Sequence, residues 1–141
     1  MVKIGAGLER TPRRNMGWSK TRATVATIVL LFACSPAIAG EADVIAAKAA
    51  RAPDGTWNFE VTIRSNDKDF NYYCDRFEVI SPSGGVLGVR QLEHPHADEQ
   101  PFTRELHGVK IPRGIVRGVL VRAHHSIRGY DGAALKVRLP D

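Results

Sequence analysis

From Trp57 to Arg64 the chain reads WNFEVTIR, apolar and polar residues alternating without a break. That is the two-residue period of a strand with one face in a core and the other in water. The same period returns in Val119 to Ala123, where Val119, Val121 and Ala123 share an inward face and Leu120 and Arg122 an outward one. His124 and His125 follow where this strand is expected to leave the core. Turn signals punctuate the runs: Pro53-Asp54-Gly55, Ser81-Pro82-Ser83-Gly84-Gly85 and Pro112-Arg113-Gly114. The alanine-rich segment 43–51 has helix propensity, but a turn follows it at once and an alternating strand follows the turn, so it reads as the first arm of a hairpin. Further strands are predicted over 72–80, 86–93, 102–111 and 133–139, with the sixth opening the stretch 116–131. Residues 65–71 read as a polar loop, and 94–101 as an irregular one whose Pro95 and Pro101 cannot donate to a ladder. Apolar parity switches between Leu106 and Val109, which predicts a bulge near Gly108; the parity of Tyr72, Tyr73 and Cys74 stays undecided.

Seven short strands and no convincing helix predict an all-β fold, a seven-stranded antiparallel β-sandwich. Its expected core draws on Trp57, Phe59, Val61 and Ile63, on Phe77 and Val79, on Val119, Val121 and Ala123, and on Leu135 and Val137.

Residues 1–39 have the pattern of an export signal. Basic residues precede the apolar run Ala23–Ala33, and Ala37-Ile38-Ala39 supplies small residues for cleavage before Gly40. Met16 offers a more compact start. Arg13-Arg14 also fits a twin-arginine signal, and Leu31-Phe32-Ala33-Cys34 a lipobox that would acylate Cys34. The domain expected to fold is 40–141, periplasmic or secreted, or lipid-anchored at Cys34, with no stable membrane insertion after cleavage. The whole chain carries 20 Lys and Arg against 15 Asp and Glu. Residues 1–39 hold six of those bases and only Glu9 among the acids, so the remainder is balanced at 14 against 14. The basic pI belongs to the signal, and a nucleic-acid partner is not expected. Of the two cysteines only Cys74 survives cleavage, which leaves no intramolecular disulfide; Cys74 reads as a packed strand residue rather than a nucleophile.

The C-terminal half carries a family likeness in Thr103 to Gly114, then Val119 to Ala123, Gly129-Tyr130 and Leu135-Lys136-Val137. This resembles strand E, a Pro-x-Gly turn, strand F ending in Val-x-Ala, a glycine-bearing loop and strand G of a fibronectin type III or immunoglobulin-like domain. Arg117 stands where such sandwiches carry a tyrosine early in strand F. The chain is also similar in general look to small exported bacterial proteins, a likeness that implies no activity.

In the usual sandwich order three connections gather at one end and carry most of the reactive side chains. His94-Pro95-His96 spaces two imidazoles two residues apart, on one side of an extended backbone. His94, His96 and either His124 or His125 therefore form a candidate copper or zinc site. Asp67, Asp69, Asp98 and Glu99 are acidic loop residues that pair, hold calcium or simply face water. Ser126 follows His125 directly, which points the two side chains to opposite sides and argues against a nucleophile and its base. Without Gly-x-Ser-x-Gly or a phosphate-cradling glycine loop, no enzyme is expected. The competing class is a binding module that meets a protein partner through end loops, with Phe70, Tyr72, Tyr73, Arg104 and Tyr130 available.

Overall fold

The computed structural model describes residues 39–115 and 117–140. The expected signal segment, its cleavage site and Cys34 lie outside the described residues, apart from Ala39 itself. Seven strands follow in order: β1 (Ala42–Arg51), β2 (Trp57–Ser65), β3 (Cys74–Ile80), β4 (Val86–Gln91), β5 (Phe102–Val109), β6 (Val119–His125) and β7 (Leu135–Val137). They form two antiparallel sheets, ordered β1-β2-β5 and β4-β3-β6-β7. β1 lies across from β6 and β7, and β5 across from β4. The fold is thus all-β with two packed sheets, as the alternation predicts.

Packing follows parity. In β2 the side chains of Trp57, Phe59, Val61 and Ile63 are buried, and in β6 those of Val119, Val121 and Ala123. Phe77, Val79 and Val137 join them as expected, whereas Leu135 is only half-buried at the core's edge. Ala42, Val44, Cys74, Leu92, Phe102, Val109 and Leu139 complete the core.

Four strands contain bulges, β4 at Leu87 among them, and in the other three two inward residues stand three apart instead of two. Between Trp57 and Phe59 of β2 lies Asn58 alone, while β5 places His107 and Gly108 between Leu106 and Val109. This is the bulge predicted near Gly108, which takes a φ of 72° and donates its N–H to Asn58 Oδ1. A second register shift falls between Val44 and Ala46, leaving Ile45 exposed while Val44 and Ala47 both face the core. A third, between Cys74 and Arg76, inserts Asp75 and so puts both Cys74 and Phe77 inward. That bulge resolves the undecided parity.

Strand ends differ from expectation for local reasons. β3 starts at Cys74 rather than Tyr72, because Asp69 and Tyr72 close a tight turn before it. β4 stops at Gln91, since Leu92 turns into the core while its N–H still bonds the Asp75 carbonyl. β6 runs through both histidines instead of ending before them.

Near the start of β1 the two sheets are tied across their edge. Asp43, buried, accepts the N–H groups of Gly40 and Ala133, and Val44 donates to the Ala133 carbonyl. Gly132 lies so close to this strand that a Cβ there would sit 1.8 Å from the Ala42 carbonyl oxygen. Gly132→Ala is therefore expected to cost more than about 1 kcal/mol. Gly114→Ala, whose added Cβ meets nothing within 4 Å, should stay within about 0.5 kcal/mol of wild type. Paired urea melts check both.

Candidate functional site

The loops 66–73, 92–101 and 126–134 gather at one end of the sandwich, opposite the β1–β2 hairpin turn. They are held by side-chain hydrogen bonds to backbone groups, from the buried Asp67, the half-buried Ser126 and the exposed Gln100. Asp67 is the centre: its side chain is fully buried, Oδ1 accepts the Cys74 N–H at 2.8 Å and Oδ2 the His96 N–H at 2.8 Å. One carboxylate thus joins the loop after β2, the start of β3 and the loop after β4. Gln100 bridges from the same loop to β2, accepting the Ser65 N–H and donating to Ser65 Oγ and the His96 carbonyl. Ser126 accepts the Tyr73 N–H and donates to the Asn71 carbonyl, which pins the third loop to the first.

His94 and His96 come together, with ring centroids 4.4 Å apart, and His96 stacks on Phe102 at 4.0 Å. His96 is buried, and neither ring nitrogen has a hydrogen-bond partner; Nδ1 is 3.8 Å from Asp67 Oδ2. Burial, Arg104 and His94 push its pKa below the ordinary histidine value, against the pull of Asp67 and Glu99. His125 is fully buried; its Nδ1 accepts the N–H groups of Ile127 and Arg128, and Tyr72 packs edge-on at 4.3 Å. His124 projects to the opposite face of β6, where Nδ1 donates to Asp75 at 2.6 Å and the ring meets Tyr130. The structure therefore pairs His94 with His96 and gives His124 and His125 separate neighbours. Among the described residues, no three His, Cys, Asp or Glu side chains are grouped to hold a metal ion.

Two of the acidic loop candidates have structural partners. Glu99 holds Arg104 through two oxygens, at 2.9 and 3.3 Å, and Asp69 caps its own turn at the Asn71 N–H. Burial pushes the Cys74 thiol up to about 12, helped by the charges of Asp67 and Asp75, so it is protonated and unreactive at neutral pH. Two of the three loops expose large apolar side chains: Phe70 is 69% exposed, Ile127 64% and Tyr130 40%. Around them the charge is acidic. Besides the buried Asp67, Glu41, Asp69, Glu93, Asp98, Glu99 and Asp131 lie in the segments at this end, against Lys68 and Arg128.

Sequence reasoning missed a polar cluster on the outer face of β3 and β6. Glu78 is buried although it faces away from the core, because Tyr130 folds over it. Its carboxylate accepts the Tyr130 hydroxyl, Arg76 Nε at 3.2 Å and Arg122 at 2.8 Å, and the Arg122 guanidinium lies 3.9 Å from the Tyr130 ring centre. Burial pushes the Glu78 pKa up, but the bonds from Tyr130, Arg122 and Arg76 outweigh it and hold the carboxyl below its usual range. The available signal was outward parity: Arg76 and Glu78 on one strand, Arg122 and His124 on the other. Only the register, which sets Glu78 opposite Arg122, turns that parity into a network.

A protein of Halomicrobium mukohataei described as "Putative lipoprotein" is 34% identical over 97 residues, which make up 69% of this chain and 47% of that protein. The chain thus spans about half the length of the curated relative it matches. No family model matches the sequence, and no solved structure matches it.

The Glu78 network has a pH signature. With its folded pKa below the unfolded value of about 4.3, the unfolded state takes up the proton first, so the stabilisation is present above that pH and is lost as pH falls through the folded value. Glu78→Gln is expected to lower stability by about 1.5–3 kcal/mol at pH 7 and to flatten the acid limb. Urea melts from pH 7 to pH 3 of both proteins check this.

Proposed function

We propose that this chain is an exported, non-catalytic β-sandwich of the immunoglobulin or fibronectin type III kind that acts as a binding or accessory protein, meeting a protein partner through its loop end. The strand order supports the type. With β1, β2 and β5 as strands A, B and E and β3, β6 and β7 as C, F and G, each set shares one sheet, as in such sandwiches. The described relative, a "Putative lipoprotein", supports export and, with Cys34 in the expected lipobox, attachment to a lipid.

The observation that carries the binding reading is the display of Phe70, Ile127 and Tyr130 on loops fixed by side-chain hydrogen bonds from Asp67, Gln100 and Ser126. Apolar side chains on pre-ordered loops contribute to affinity with little ordering cost on association, and they sit within an acidic surround that favours a basic partner. The absence of catalysis is in keeping with Ser126, whose hydroxyl bonds two backbone groups, and with His125, whose Nδ1 already accepts two N–H groups.

Copper or zinc binding is the alternative, and its support narrows to His94 and His96 with Asp67 behind them. The two rings are tilted by 35°, and with His94 Nδ1 bonded to the Pro95 carbonyl the available donors are His94 Nε2 and the two unpartnered nitrogens of His96.

Affinity capture from the exporting host with the full chain, compared against Phe70→Ser/Ile127→Ser, tests the binding reading. The expected result is a partner retained by wild type and weakened at least about tenfold in the double variant, with an unchanged melting temperature. Equal retention by both proteins, or no retained partner, overturns it.

A further inference from the structure

The opposite end of the sandwich has the opposite charge. Its segments carry Lys110, Arg113, Arg117 and Arg138, with Arg51 closing β1, against Asp54 as the single acid among the described residues. The balanced total therefore conceals an electrical polarity along the strands, acidic at the loop end and basic here. At this basic end lies an open cleft of about 560 Å³, within the range of small-molecule sites. Trp57, Ile111, Ile115 and Leu139 give it an apolar wall, and Arg51 and Arg113 stand at it as cations.

Among the described residues the one carboxylate lining the cleft, that of Asp54, forms no ion pair with them. Asp54 directs Oδ1 into its own turn, accepting the Thr56 N–H at 2.9 Å and the Thr56 hydroxyl at 2.7 Å. Among the described residues, neither Arg51 nor Arg113 is within 4.0 Å of a carboxylate oxygen. The neighbouring bases add to the positive potential over the opening. An apolar wall beside unneutralised guanidinium groups is complementary to a molecule with an anionic head and an apolar body.

We propose that this cleft binds a small amphipathic anion, its carboxylate or phosphate head held by Arg51 and Arg113 and its hydrocarbon or aromatic body laid against Trp57, Ile111, Ile115 and Leu139. Arginine's planar fork suits either head group. The site lies at the far end from the loops offered to a protein partner, and neither reading depends on the other.

Trp57 supplies the reporter, since Trp57 and Trp18 are the two tryptophans of the chain. In full-length Trp18→Phe protein, Trp57 fluorescence is titrated with octanoate, octyl phosphate and octylamine, each below its micelle concentration. Octanoate, octyl phosphate or both should give a saturable change, with octylamine at least tenfold weaker. The preferred anion identifies the head group. Arg51→Gln and Arg113→Gln, both at exposed positions, should each weaken the better anion at least fivefold while leaving the thermal melt unchanged. No saturable change with either anion, octylamine binding as well as they do, or full affinity in both arginine variants overturns the proposal.

Discussion

A single buried carboxylate sets the shape of the loop end. Asp67 has left water entirely, a transfer that is unfavourable unless its oxygens find donors; it finds two backbone N–H groups, from Cys74 and His96. Because those amides belong to different segments, satisfying the carboxylate fixes both segments relative to β2. The stack of His96 on Phe102 with His94 tilted against it, the Gln100 bridge and the exposed position of Phe70 all rest on that arrangement. The opposing case is Glu78, a carboxylate buried on the solvent side of a sheet by Tyr130 and two arginines. Both acids show polar side chains stabilising the fold where the apolar core does not reach.

Much of the architecture was legible because strand parity is a direct consequence of the pleat. The alternation in β2 and β6 identified the inward residues, and the three-residue step from Leu106 to Val109 identified a bulge. The same step occurs between Val44 and Ala47 and between Cys74 and Phe77, but there it was hidden. An alanine-rich strand has little contrast between its faces, and three consecutive candidates, Tyr72, Tyr73 and Cys74, left the phase open. Ends of strands were less legible still, because they depend on single hydrogen bonds such as that from Leu92 to Asp75.

The histidines show where sequence reasoning reaches its limit. Spacing alone brought His94 beside His96, and alternation alone separated His124 from His125. Whether the two pairs meet is a matter of tertiary distance and ring orientation, which periodicity does not encode. The Glu78 cluster was illegible for the same reason: its members come from three segments, and only the β3–β6 register joins them. Charge polarity lies between these cases. Each acidic or basic loop can be read from the sequence, yet the separation into two ends emerges only when the strand order assigns every loop to one end or the other.

The loop end is thus a rigid platform fixed from within by Asp67. Amide hydrogen exchange measures this directly. The N–H groups of Cys74 and His96 should exchange as slowly as those in the middle of β2 and β6, opening only with global unfolding, and Asp67→Asn should accelerate both together. Exchange at those two amides as fast as in a solvent-exposed loop of the wild-type protein would contradict the claim.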